Sequence, residues 1–387
     1  IPSTDNGVTY LASFANPFPN GLIAPLGAAG GLSTYLGQSI SFYPGDRKQP
    51  YAQRWSFGIQ RELPGGVVLD TSYVGNRGTR LQVSRNINAV PAKYLSKSLV
   101  RDQKTNSFLS QSFASPFYGL SSVYGETISR AQLLKPYPEF GDISVTEPVG
   151  FSSYHALQVR TEKRMAQGYT FQAAYTWSKL MEASSFLNPT DDIPYYGISS
   201  FDRTHRLAVS GIFELPFGKG RRFAAQAPAL VNGVIGGWQL DAVIERQSGP
   251  PMGFGNAILK GDLRSIVLPT DQRSVDAWFN AEAAQAVFET ATSKQLATSS
   301  SLRTTPLLFS YIRADGQARW DLSMIKSFAI VERVKLQFRA ECFNALNHPN
   351  LNTPSTGPTS ILAGNFGKIY GQSPTPRSFQ LALKLAF

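Results

Sequence analysis

The chain has 387 residues, a formal net charge of +11, 12% aromatic residues and only 16% charged residues, where soluble domains carry roughly 25%. It contains no run of about 18 apolar residues, which excludes a transmembrane helix but not a membrane strand, since a strand spans with about 9–11 residues. The basic residues are dispersed with no Lys/Arg-rich run, so nucleic-acid binding is not expected, and the single cysteine, Cys342, excludes an internal disulfide or a multi-cysteine metal site.

In chain order, residues 1–50 are rich in Gly, Pro, Asn and Ser, and Asn16–Gly21 and Pro44–Asp46 carry turn chemistry. This segment reads as a long extracellular loop or a partly ordered stretch. Its start, Ile1–Gly7, has neither a basic n-region nor an apolar h-region, so an exported protein would here be processed or truncated.

Strands are then expected wherever apolar residues take every second place. At 51–62 Trp55, Phe57 and Ile59 alternate with polar residues; at 67–77 Val67, Leu69, Thr71 and Tyr73 do so, after a Pro-Gly-Gly turn that makes the pair a hairpin. Residues 78–140 lose the alternation, with short helical turns expected near 91–104 and a ribbon strand at 142–148. A second hairpin follows at 151–164 and 169–180, turning through Met165–Gly168. Strands are expected at 203–215 and 236–248, and a second long connection at 249–316 with short helices at 274–279 and 281–290. Strands at 317–328, with a bulge at Ile325, and at 333–345 come next, then a short ribbon near 365–372. The last strand, 377–387, sets Phe379, Leu381, Leu383, Leu385 and Phe387 against Ser378, Gln380, Ala382, Lys384 and Ala386.

The connections form a pattern of their own. Tight turns at 63–66, 165–168 and 329–332 alternate with long loops at 78–150, 181–202, 249–316 and 346–376; the 216–235 connection, on the tight-turn side, is longer. Short turns at one end and long loops at the other is the plan of an outer-membrane barrel. Aromatics gather near strand ends (Trp55, Tyr73, Trp177, Trp238, Trp320), where interfacial girdles are needed. A soluble β-sandwich also alternates, but rarely places loops of about 60 residues on one side only.

Particular stretches carry a resemblance. Ser56–Gly65, Asp70–Gly78, Tyr154–Arg164, Tyr169–Lys179, Asp202–Leu207 and Phe338–Asn350 resemble the C-terminal half of the TonB-dependent outer-membrane receptors, and more narrowly the Oar-like branch, whose members carry a carboxypeptidase-regulatory-like domain and a plug. The terminal strand resembles the closing strand of outer-membrane barrels, where Phe379, Leu381, Leu383, Leu385 and Phe387 would be the signal read by the barrel-assembly machinery. The resemblance implies an all-β, antiparallel transmembrane barrel portion of about nine to eleven strands, the C-terminal part of a barrel of about 22 strands, over residues 51–387. If short turns are periplasmic, the first and last strands both run inward. The strand number is then odd and the N-terminus of this chain lies outside the cell, whereas bacterial single-chain barrels have even numbers. The chain is therefore expected to be the end of a longer receptor whose closing strand pairs with one before Ile1.

Catalytic chemistry is not expected. His155, His205 and His348 fall on separate strands or loops, no Gly-x-Ser-x-Gly elbow occurs, and Phe217–Arg222 reads as a basic periplasmic turn rather than a phosphate cradle. Asp191-Asp192 reads as a solvated loop, with a surface cation or ligand as the alternative. The polar strand faces supply Arg160, Glu162, Arg206, Glu214, Glu245, Lys335, Arg339 and Glu341 as lumen-facing candidates, with cross-strand ion pairs bracing the wall. The implied function is uptake of a bulky ligand across the outer membrane, with no cofactor. The TonB system would be engaged through an N-terminal part, and outer-membrane lipid would surround the wall. The alternative is a surface interaction or adhesion protein without import; a soluble β-sandwich enzyme is the third reading.

Overall fold

The computed structural model describes residues 12–19, 21, 30–31, 33–120, 123–289, 300–331, 334–357, 360–361, 363–373 and 375–387. The expected leader-free start at residues 1–7 lies outside them. Long antiparallel strands follow one another in sheet order as they do in sequence: β1 (Tyr51–Leu63), β2 (Val67–Asn86), β3 (Ile143–Ala166), β4 (Tyr169–Ala183), β5 (His205–Glu214), β6 (Trp238–Gln247), β7 (Gln317–Val331), β8 (Val334–Phe343) and β9 (Ser378–Ala386). Two short strands, Ile40–Phe42 beside β3 and Gly197–Ile198 beside β4, bring the sheet to 11 strands. Among the described residues the sheet is open, with β1 and β9 as its edges.

Register makes the sheet two-faced. One row of directly opposed residues crosses all the long strands: Leu63, Val67, Lys163, Phe171, Gly211, Ala242, Leu322, Cys342 and Phe379. It begins at the tight turn after β1 and ends at the long-loop end of β9. The strands are therefore steadily staggered, as strands tilted in a barrel wall must be. This face is apolar and stays uncovered: Phe57 is 71% exposed, Trp177 56%, Leu381 70% and Leu383 71%. A sandwich would bury this face under a second sheet. Leaving so many large apolar side chains in water would cost about 1.5–3 kcal/mol each, so only an apolar solvent suits it. Strand length agrees: the 10 residues of β5 span about 34 Å, or about 25 Å of membrane thickness at a tilt near 45°.

The buried core lies elsewhere, in the long loops. Met252, Phe254, Leu263, Ile266, Trp278, Phe279, Phe288, Ile312, Phe366 and Ile369 form one buried cluster. Phe254 sits at its centre, with ring centroids at 6.1 Å from Phe279, 5.1 Å from Phe288, 5.9 Å from Phe309 and 6.1 Å from Phe366. The connection after β6 and the one after β8 thus fold together into a cap with its own core. Helix α1 (Ala281–Val287), N-capped by Asn280, buries Ala284 and Val287 in it.

Several expectations are corrected. β2 runs to Asn86 rather than 77, and the expected ribbon at 142–148 is continuous with β3. Beyond the apolar band the backbone ladder still closes but side-chain alternation is no longer required. The register accordingly shifts between Thr79 and Val83, and Arg80 takes a positive φ of 59°. The bulge expected at Ile325 is absent: Ile325 pairs regularly with Gln239 and Arg339, and the irregularity falls between Ala329 and Val331. What breaks the sequence pattern there is Lys326, which stands on the apolar face and is nevertheless 2% exposed. Its ammonium donates to the carbonyls of Val234 and Gly236 and lies 4.9 Å from the Phe328 ring centroid. Lys163 solves the same problem with the Tyr169 hydroxyl at 2.6 Å. No helix forms at 274–279, where Phe279 instead bridges Val267, and the ribbon near 365–372 reduces to a bridge between Leu351 and Gln372. The helix expected over 281–290 ends at Val287; residue 290 lies outside the described residues. Within residues 1–50, Ile40–Phe42 extends the sheet beside β3.

Candidate functional site

The polar face is built by the residues between the apolar ones. A row of opposed residues runs Glu62, Val68, Glu162, Gln172, Ser210, Val243 and Asp321. By the same ladders Arg160, Arg206, Glu214, Glu245, Lys335, Arg339 and Glu341 stand on this face too. The structure brings only some of them together. Arg160 donates to Glu162 at 2.7 Å and to the amide of Gln172 at 3.5 Å. Arg221, in the turn, reaches Glu214 at 2.8 Å, and Arg319 reaches Asp321 at 2.8 Å. These ion pairs run along a strand or to a turn, while the bond to Gln172 crosses from β3 to β4 and Arg85 of β2 pairs across strands with Glu147 of β3 at 3.4 Å. Glu341 stands opposite Ser323 and Gln380, and Lys335 opposite Ala386. Arg339 keeps its Nε buried without a hydrogen-bond partner among the described residues.

Two clefts open where the polar face meets the loops. Arg206, Glu245, Gln317, Arg319, Asn350 and Thr375 line one of about 210 Å³. A larger one, about 580 Å³, lies beside Arg203, Gln247, Asp315, Asn352, Ser355 and Tyr370. Of the candidates read from the sequence, only Arg206 and Glu245 reach such a cleft. Arg319 was legible by parity with Trp320 and Leu322; the loop residues Asn350, Asn352 and Tyr370 carry no periodic signal.

The cap is fastened to the wall by a buried ion pair. Asp202 is 1% exposed, and its carboxylate accepts from Arg313 at 2.6 Å, from the Leu180 N–H of β4 at 2.7 Å and from the Thr204 hydroxyl at 3.2 Å. Arg313 also donates to the carbonyls of Gly249 at 3.0 Å and Ser310 at 3.0 Å, and its own carbonyl accepts from the Trp278 indole at 3.0 Å. One carboxylate thus links a wall strand, the 184–204 loop and the cap, because both ions must complete their bonds once removed from water. Arg203, beside it, is pushed below the usual guanidinium range by burial first and by the Arg313 charge second; burial, then the charge of Asp262, raises the Tyr311 phenol. A second fastening joins Asn188 to Arg303, whose N–H donates to the Asn188 side chain at 2.7 Å. Asp191 accepts from the Asn188 N–H at 2.8 Å and closes the local turn. Groups of three or more metal-ligating side chains do not occur among the described residues.

At the long-loop end of the apolar face, two tyrosine–histidine pairs repeat. Tyr73 bonds His155 Nδ1 at 2.7 Å and Tyr175 bonds His205 Nδ1 at 2.7 Å. Each histidine precedes by two the leucine that opposes its tyrosine, Leu157 and Leu207. Trp55 lies over Gly75, where a Cβ would stand 2.2 Å from the indole. Trp177 and Trp320 share this end of the face; Trp238 and Tyr169 stand at the tight-turn end. The terminal residues Phe379, Leu381, Leu383 and Leu385 project from the apolar side of β9, and Phe387, 97% exposed, follows it.

A family model described as "Outer membrane beta barrel domain" matches residues 1–380. Among solved structures the chain is similar to the outer membrane transporter YddB from Escherichia coli, with 11% identity and a TM-score of 0.43 over 91% of this chain and 34% of that one. It is also similar to the ferripyoverdine receptor of the outer membrane of Pseudomonas aeruginosa, with 10% identity and a TM-score of 0.38 over 86% of this chain and 27% of that one. The chain thus spans about a third or less of the length of these structures. No curated protein matches.

Proposed function

Because the chain belongs to the outer membrane β-barrel domain family and so resides in the outer membrane, we propose that it forms the wall and surface loops of a TonB-dependent receptor of the Oar-like branch that takes up a bulky ligand. The observation that carries the reading is the cap. The long loops are not slack connections but a folded unit with a phenylalanine core, clamped to the wall by Asp202 and Arg313. They stand above polar clefts of about 210 and 580 Å³. A surface that is ordered before its ligand arrives loses less entropy on binding. In this reading the wall is passive. It carries no catalytic group, energy is coupled through an N-terminal part and the TonB system, and the barrel-assembly machinery reads β9.

The test compares a deletion strain, a complemented strain and a strain lacking the energy-coupling protein. The expected result is that the same bulky compounds stay in the medium of the first and third strains and vanish from that of the second. Equal depletion by all three, with loss of cell-surface attachment in the deletion strain alone, would overturn import and leave an adhesion protein.

A further inference from the structure

The apolar side of the wall carries cations at its long-loop border, beside the interfacial aromatics. Lys179 stands on the apolar face, opposite His155 and two residues beyond Trp177 toward the long loops. Arg246, next to last in β6, stands on the same face opposite Leu207 and Ala318. Both are exposed. Neither has an ion-pair or hydrogen-bonding side-chain partner among the described residues; at the tight-turn end Lys163 and Lys326 are wrapped by protein acceptors, and the exposed Arg61 lines neither cleft.

Lys179 and Arg246 each open into a cleft roofed by the loops. The first, of about 470 Å³, is lined by Tyr73, His155, Leu157, Trp177, Lys179 and Arg313. The second, of about 440 Å³, is lined by Tyr175, His205, Leu207, Arg246, Arg273 and Trp278. Of the carboxylates at hand, Asp202 is paired with Arg313, and Asp315, which lines the second cleft beside Arg246 and Arg273, accepts the Leu351 N–H at 3.4 Å. Arg273 lies 5.4 Å from the Trp278 ring centroid. Tyrosine holds one nitrogen of each histidine, which fixes the ring edge toward the cleft. The result is a basic, aromatic-walled eave whose lower border is the apolar band itself.

We propose that this eave binds a phosphorylated acyl lipid of the outer leaflet. Its phosphate lies between the loops and Lys179 or Arg246, and its acyl chains run down past Leu157, Tyr175 and Leu207. Charge complementarity selects the phosphate, and continuity with the apolar band selects a lipid over a free anion. At this interfacial depth an anionic headgroup attracts a cation, and a phosphate offers both charge and acceptors.

The experiment uses the full-length protein in detergent micelles, with native mass spectrometry counting retained lipid. Dioleoyl phosphatidic acid is compared with dioleoylglycerol, which lacks the phosphate, and with glycerol phosphate, which lacks the chains. Phosphatidic acid should bind about tenfold or more tighter than either. Lys179→Gln with Arg246→Gln should remove most of that preference, while Lys384→Gln on the polar face should leave it intact. Equal retention by wild type and the double variant, or equal loss with Lys384→Gln, overturns the proposal; so does glycerol phosphate binding as tightly as the lipid. If the double variant does not fold, the wild type alone decides: bound phosphatidic acid must protect Lys179 from acetylation, and an unprotected Lys179 rejects the site.

Discussion

Asp202→Ala tests how the cap is held. The substitution leaves the Arg313 guanidinium, whose side chain is 19% exposed, without its anion and the Leu180 N–H without its acceptor. Removing one member of a buried ion pair costs about 3–5 kcal/mol, and an unsatisfied buried N–H about 1–3 kcal/mol. The partial exposure of Arg313 lowers the first figure, so about 3 kcal/mol in all is a conservative sum. The loss falls on the cap, because the ladders from β5 to β9 do not involve Asp202. At about 1.4 kcal/mol per factor of ten, the amides of the segment around Phe254 and Phe288 should exchange about a hundredfold faster. Hydrogen exchange read by mass spectrometry in detergent measures this directly. Asp202→Asn retains an acceptor for Leu180 and should give an intermediate effect. Unchanged protection around Phe254 and Phe288 in Asp202→Ala, or equal loss of protection in β8 and β9, would refute the clamp.

Three further outcomes rest on the wall and the loop helix. Gly75→Val drives a side chain into the Trp55 indole, 2.2 Å from the Cβ position. It should destabilise by about 1–3 kcal/mol, seen as a lower urea midpoint and red-shifted tryptophan emission. Leu381→Arg on the apolar face should cost about 2–4 kcal/mol and lower the temperature at which heat-modifiable migration is lost; Gln380→Arg, its neighbour on the polar face, should not. At low pH the helix Gln103–Ser110 should fray. The Thr105 hydroxyl and then the Thr105 N–H hold the Asp102 carboxyl below its ordinary 3.8. A depressed folded-state pKa gives stability that is present above 3.8 and lost as pH falls through the lower folded value. Protection in that helix, as exchange relative to the intrinsic rate at each pH, should therefore fall below about pH 4 and stay constant over that range in Asp102→Asn.

The order in which wall and loops became legible reflects what each must satisfy. Every wall strand has one face in an apolar solvent and one in a polar space, so the period-two alternation of Phe379 to Leu385 and of Trp55 to Ile59 is imposed residue by residue. Parity alone puts Arg160, Arg206 and Glu341 on one face. The same logic explains the errors. The alternation stops at 77 although β2 continues to Asn86, because above the membrane only the backbone ladder is constrained. Lys326 mimics a register break at Ile325, because nothing in the sequence shows that Val234 and Gly236 wait to bind its ammonium.

The sequence by itself determined the two-faced wall, the end that carries long loops, and the strand order, since each depends on neighbours one or two positions apart or on a turn between adjacent strands. Only the tertiary structure decided that the loops fold into a cap around Phe254, that Asp202 meets Arg313 across 111 positions, and that Lys179 and Arg246 open into clefts on the apolar side. Those contacts join segments far apart in the chain, and their side chains answer to packing and paired charge, which have no period.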